Sequence, residues 1–196
     1  MKKLTLAALL VASFGAISVA HADDRTATAI ASWDAKAIKD TQSMLVVTPL
    51  KSLTFNYAEG QQAFNTLDGA FDVTIAGQSG ATDFKLASKI ISSTLARSSD
   101  DSTLEVGVKW NGEQLSKDAE VVMIDTATSV NTGLTALTAG DAFGQSDRVS
   151  ALGQFNFNIT SASLAGAPTT YKDLTDGLWD GNVNVEFIAT WSGTFI

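Results

Sequence analysis

The chain of 196 residues has no cysteine, one histidine (His21) and only 2 prolines. Without cysteine there can be no disulfide, thiolate nucleophile, Cys-ligated zinc or iron–sulfur cluster. Positive charge is also scarce, with 13 Lys and Arg against 21 Asp and Glu and a formal net charge of −8. The basic residues are scattered, so the chain is a poor fit to nucleic acid, whose phosphates need clustered Lys and Arg. Apolar residues, by contrast, make up 45% of the sequence. That content, strongly patterned, argues against a disordered chain, and the length suits one domain of ordinary size.

Residues 1–22 have the three parts of a secretory signal peptide. Met1-Lys2-Lys3 is basic, Leu4 to Val19 is apolar, and Ala20-His21-Ala22 is an A-x-A cleavage site. A membrane anchor is the rival reading, but the run is slightly short for a span and no stop-transfer charges follow. Cleavage after Ala22 would leave 174 residues with a formal charge of −10 and no histidine. An exported domain lacking cysteine must then be stabilised by its core or by a partner, since the periplasm permits disulfides.

The rest of the chain reads as strands. Leu104, Val106, Val108 and Trp110 alternate with polar or small residues, and Asn111-Gly112 follows as a hairpin-turn dipeptide. Phe155, Phe157 and Ile159 alternate with Asn156, Asn158 and Thr160, and Val183, Val185, Phe187, Ala189 and Trp191 with Asn182, Asn184 and Glu186. Further strands are expected at residues 44–48, 53–57, 71–76, 84–95 and 120–124. Residues 127–148, rich in Thr, Ala and Gly, read as a long connection with one helical turn. No segment carries a sustained 3.6-residue period. Many short strands with one apolar face predict an all-β, immunoglobulin-like antiparallel sandwich.

Asp23 to Asp40 stands apart. Ala27, Ala29, Ala31, Trp33 and Ala35 alternate with polar residues, and only Ile30 breaks the polar face. Buried alanines contribute little beside the ~1.5–3 kcal/mol of a buried Leu or Phe, so the main chain of such a strand would carry most of its binding energy. That is the design of a strand added to another sheet. Ile30-Ala31-Ser32-Trp33 also resembles Ile188-Ala189-Thr190-Trp191 near the end of the chain. Coincident strand vocabulary accounts for that match equally well.

Catalytic candidates are poor. No Ser-His or Cys-His pair is possible after cleavage. Asp68 and Asp72, Asp100 and Asp101, and Asp173, Asp176 and Asp180 read as solvated turn residues. None fits a D-x-D-x-D-G calcium loop. Trp33, Trp110, Trp179 and Trp191 could line a sugar platform, but three fall in phase with buried strand positions. No enzyme, cofactor or metal site is expected. Two alternatives stay open on these residues: an eight-stranded outer-membrane β-barrel, disfavoured by short strands and only 2 Tyr for aromatic girdles, and a secreted carbohydrate-binding module.

Several stretches carry a specific resemblance. They are Ala27–Trp33 (ATAIASW), Leu45-Val46-Val47-Thr48-Pro49-Leu50, Tyr57-Ala58-Glu59-Gly60, Val122-Met123-Ile124-Asp125-Thr126-Ala127 and the spaced run from Trp179 to Trp191. Taken together, the chain resembles the major pilins of the E. coli common pilus, an alternate chaperone–usher pilus. Residues 128–175 and the tail 192–196 depart most. The resemblance implies an immunoglobulin-like fold incomplete by one strand, with a groove filled first by a periplasmic pilus chaperone. At the outer-membrane usher it would be refilled by the N-terminal extension of the next subunit, giving a head-to-tail polymer, a fimbrium carrying a tip adhesin. It also implies roles in biofilm formation and adhesion to host cells. On this resemblance residues 1–22 are the signal peptide, 23–40 a donor-strand extension and 41–196 the pilin domain. Ala27, Ala29, Ala31, Trp33 and Ala35 take the donor role. The strand reading supplies the acceptor lining: Leu45 and Val47 on the first strand, and Val185, Phe187 and Ala189 on the last.

Overall fold

Two antiparallel sheets face one another in the computed structural model, which describes residues 39–195. In chain order the strands are β1 (Leu45–Pro49), β2 (Tyr57–Ala58), β3 (Ala63–Phe64), β4 (Leu67–Ala76), β5 (Ala81–Ser92), β6 (Thr94–Ala96), β7 (Thr103–Trp110), β8 (Glu113–Gln114), β9 (Val121–Asp125), β10 (Val130–Asn131), β11 (Arg148–Leu164), β12 (Ala167–Thr169) and β13 (Asn184–Gly193). The first sheet runs β1-β4-β11-β7-β6, with β12 and β8 as side hairpins. The second runs β10-β9-β5-β13, and β2-β3 forms a small ribbon. Every ladder is antiparallel. The described strands form open sheets with edges, not the closed ring of a barrel.

The alternation seen in the sequence places the core. In β4, Phe71, Val73 and Ile75 point inward, as do Leu104, Val106 and Val108 of β7 and Phe155, Phe157 and Ile159 of β11. Asn111 and Gly112 both adopt positive φ, 48° and 87°, as the tight β7–β8 hairpin requires. Three expectations need correction. Residues 53–57 form no continuous strand; only Tyr57–Ala58 pairs, and the preceding residues run irregularly. The expected strand 84–95 begins at Ala81 and breaks at Ser93, where the chain leaves one sheet as β5 and enters the other as β6. The connection 127–148 does carry helical turns, at Thr135–Thr138 and in α1 (Gly140–Gly144). It is more than a surface link, because Leu134, Leu137, Ala142 and Phe143 are buried. Asp72 lies within β4, where it accepts a bond from Thr74 Oγ1 (3.0 Å), not in a turn.

Aromatic rings fill the middle of the sandwich. Phe71 stacks on Phe155 at 4.9 Å between centroids, and Phe187 of the facing sheet meets both, at 5.1 and 5.7 Å. Trp110 closes the group at 5.5 Å from Phe155, and its indole N–H donates to Thr132 Oγ1. Glycines make room for these rings. Gly153 lies opposite Phe71 in the β4–β11 ladder, and a Cβ there would sit 2.5 Å from the Phe71 ring. Gly69, opposite Phe155, would meet Phe157 at 2.4 Å.

The entry to β1 is fixed by polar bonds. The Asp40 carboxylate accepts backbone N–H bonds from Gln42 (3.0 Å) and Ser43 (2.9 Å) and the Ser43 hydroxyl. Arg148 of β11 donates to the Ser43 carbonyl at 2.7 Å. The Ser43 hydroxyl and the two backbone donors hold the Asp40 carboxyl at about 2, below its ordinary 3.8.

Two predictions follow from this packing. Gly153→Ala should destabilise the domain by about 1–3 kcal/mol through overpacking against Phe71, read as a lower midpoint in urea with unchanged slope. Asp40 is depressed in the folded state, so its contribution is present above pH 3.8 and lost as pH falls through about 2. The stability gap between the native chain and Asp40→Ala should therefore be constant at neutral pH and close on acidification below that range; a gap that widens on acidification contradicts the assignment.

Candidate functional site

A strand at a sheet edge leaves half its main-chain polar groups without sheet partners. Among the described residues, β1 pairs only with β4, and β13 only with β5. The direction of the unpaired groups can be worked out. Ala76 N–H donates to the Met44 carbonyl (2.8 Å) and Leu50 N–H to the Ala70 carbonyl (2.9 Å). Alternation then turns Met44, Val46, Thr48 and Leu50 toward β4, and Leu45, Val47 and Pro49 toward the open side. Pro49 has no N–H, so the residue that could not donate sits where no sheet partner needs it. On the other edge, Phe84 bonds outward to Thr126 on the β9 side. Lys85, Ala87 and Lys89 of β5 accordingly face β13, and they pair with Thr190, Ile188 and Glu186. The free main-chain groups of β13 belong to Val185, Phe187, Ala189 and Trp191.

These same residues carry the apolar side chains. Leu45, Val47, Val185, Phe187, Ala189 and Trp191 are all partly buried and packed on the core. On the outer face of β13, Glu186 and Lys89 form a salt bridge of 3.2 Å. Both free edges thus present hydrogen-bonding groups and hydrophobic surface at one set of positions.

Between the edges lies a cleft of about 1000 Å³. Val47 and Pro49 line it from β1 and Val183, Asn184, Val185 and Phe187 from the β13 side; Phe71, Phe155 and Phe157 reach it from the core. Of the five residues expected to line an acceptor groove, Val47, Val185 and Phe187 line this cleft. Leu45 and Ala189 lie farther along the same two strands and pack on the core without lining it. Ala27, Ala29, Ala31, Trp33 and Ala35 lie outside the described residues.

Two stretches of the lining depart from the strand reading. Leu53 and Phe55 alternate as a strand would but enter from the irregular chain after β1, and residues 174–183 form a further wall before β13. Residues 174–181 carry no period that marks them as a wall. Trp179 belongs to this wall, and its ring is engaged within the protein. Arg97 lies 5.5 Å from its ring centroid, Phe64 packs at 6.3 Å, and the indole N–H donates to Ser102 Oγ at 2.9 Å.

The carboxylates do structural tasks. Asp68 accepts from Asn156 Nδ2 (3.0 Å) across the β4–β11 ladder, and Asp173 from Thr170 Oγ1 (2.6 Å). Among the described residues no three His, Cys, Asp or Glu side chains cluster as metal ligands do. No described helix is long and apolar enough to cross a membrane. What the cleft offers chemically is apolar surface beside main-chain polar groups of β1 and β13.

Comparison with known proteins bears on the family of the chain. The family model described as Fimbrillin MatB matches residues 26–191. The common pilus major fimbrillin subunit EcpA of Klebsiella pneumoniae (strain 342) is 49% identical over 98% of this chain and 100% of that protein. The subunit of the same name from Escherichia coli (strain K12) is 48% identical over the same shares. Among solved structures, the CooA pilin subunit from enterotoxigenic Escherichia coli overlays with a TM-score of 0.49 and 16% identity, covering 74% of this chain and 87% of that one. The relationship rests on the sequence matches, and on them the chain belongs to the MatB fimbrillin family.

Proposed function

We propose that the chain is the major structural subunit of a chaperone–usher pilus at the cell surface, joined head to tail by insertion of residues 23–40 of one copy into the cleft of the next. The observation that carries this reading is the pair of edges, β1 and β13, which have one ladder partner each among the described residues and flank one cleft. Family membership supports the fimbrial role, and the alternation of Ala27, Ala29, Ala31, Trp33 and Ala35 supplies a strand of matching pattern.

The energetics are consistent with a durable, non-covalent link. A ten-residue inserted strand makes roughly 8–10 main-chain hydrogen bonds at a net ~0.5–1.5 kcal/mol each. The total, of order 10 kcal/mol, is comparable to the whole stability of a domain. Because donor and cleft are different surfaces of one protein, the contact is heterologous and repetition gives a filament. The exposed edges are an aggregation hazard before insertion, which gives a periplasmic chaperone and an outer-membrane usher their place on the route out. A tip adhesin at the filament end, with roles in biofilm formation and adhesion to host cells, completes the reading.

Ala31→Asp places a charge where the strand must bury, at a cost of several kcal/mol. Cells expressing it should export the subunit to the periplasm yet show no filaments by electron microscopy; normal pili from this variant would refute the mechanism. The fibre should also unfold at a distinctly higher temperature than the isolated mature subunit, measured by circular dichroism. Equal midpoints would show that the inserted strand adds nothing.

A further inference from the structure

One wall of the cleft has almost no ladder to hold it. Within residues 174–183 the strand-like pairing is a single bridge, Asp180 to Ala96, with N–H···O bonds of 2.9 Å each way. Residues 175–179 are held from behind by Arg97, which follows β6 and does not itself line the cleft. Its Nη1 donates to the Thr175 carbonyl at 2.7 Å and its Nη2 to the Asp176 carbonyl at 2.7 Å. Nη1 also pairs with Asp100 at 3.0 Å, and the guanidinium lies against the Trp179 ring.

The bonds close a circuit. Trp179 N–H donates to Ser102 Oγ at 2.9 Å, and the Ser102 hydroxyl donates to Asp100 Oδ1 at 2.6 Å. Ser102 is fully buried. Gly177 completes the fit, since a Cβ there would stand 2.4 Å from Arg97 Nε. The Ser102 hydroxyl and N–H, with Arg97 beside them, hold the Asp100 carboxyl below its ordinary range. A planar fork bonding two successive carbonyls while stacked on an indole is a task for arginine that lysine does not reproduce.

We propose that Arg97 is a positioning residue for strand capture, holding with Asp100, Ser102 and Trp179 the wall 174–183 in the shape that admits a donor strand. This rests on the reading of the cleft as an acceptor. The physical reason is preorganisation. A wall already ordered need not be ordered at insertion, and a cleft open in only a fraction of molecules binds more weakly by that fraction.

The test uses the purified mature chain and a fluorescent peptide of residues 23–40. Arg97→Ala should capture the peptide at least roughly fivefold more slowly than the native chain, as expected if the competent wall becomes a minor population. Arg97→Lys should stay slow, because the two-carbonyl fork is lost although the charge remains. Amide hydrogen exchange should rise in residues 174–183 of Arg97→Ala while the β5–β13 ladder keeps its protection. Phe143→Leu controls for plain destabilisation: it loosens packing against Phe84 (6.1 Å) at a buried site away from the cleft, and should capture at the native rate. Capture by Arg97→Ala at the native rate, or equal slowing by Phe143→Leu, would overturn the proposal. A native chain that takes up no peptide would instead bring down the acceptor reading itself, and the proposal with it.

Discussion

Main-chain hydrogen bonding at two sheet edges is the constraint on which the rest of this structure depends. A β-sandwich satisfies its backbone by pairing strands, and each sheet must end somewhere. Here β1 and β13 end their sheets on either side of one cleft, and alternation turns the unbonded groups of Val47, Val185 and Phe187 toward it. The same residues place apolar side chains there. Water can satisfy the backbone groups but not the hydrocarbon. A strand satisfies both, which is why the cleft is better matched to an extended peptide than to a small polar ligand.

The sandwich tolerates such an opening because the rings at its floor pack on one another across both sheets. Phe71, Phe155, Phe187 and Trp110 form one aromatic group spanning both sheets, with centroid separations between 4.9 and 6.0 Å. Gly69 and Gly153 give up side chains so that the rings can lie over neighbouring strands. The opposite end is sealed by the connection between β10 and β11, where Phe143 stacks on Phe84. The absence of cysteine thus has a counterpart in the packing: no cross-link is needed to hold the sheets face to face.

The sequence made the strands legible where burial on one side imposed a period of two. Leu104 to Trp110, Phe155 to Thr160 and Val185 to Trp191 all lie in strands with their apolar set inward. The Asn111-Gly112 turn was legible because few residues accept two positive φ values in succession. The family was legible from long matched stretches that no single motif could supply. Illegible were the places where tertiary bonds replace a repeating pattern. Leu53 and Phe55 alternate as a strand would yet enter the cleft from irregular chain, and the break at Ser93 that sends β5 and β6 to different sheets has no local signature. Asp176 and Asp180 read as turn residues, because the bonds that shape this stretch come from Arg97 and Ser102, 77 to 79 positions earlier in the chain.

The division between regular and irregular walls bears on how a strand would be chosen. Ladder bonds are nearly blind to sequence, since every residue but proline offers the same donor and acceptor. An inserted segment as poor in large side chains as residues 27–35 would draw most of its affinity from those bonds. Discrimination must then come from wherever the cleft has a shape that a ladder does not dictate. The wall 174–183 has such a shape, with Gly177 and Gly181 pressed against Arg97 and Leu95 and Trp179 held from behind. Affinity would reside in the edges of β1 and β13, and selectivity in the wall that Arg97 fixes, so that a change of donor sequence would be met by change in residues 174–183 while the two edge strands stay as they are.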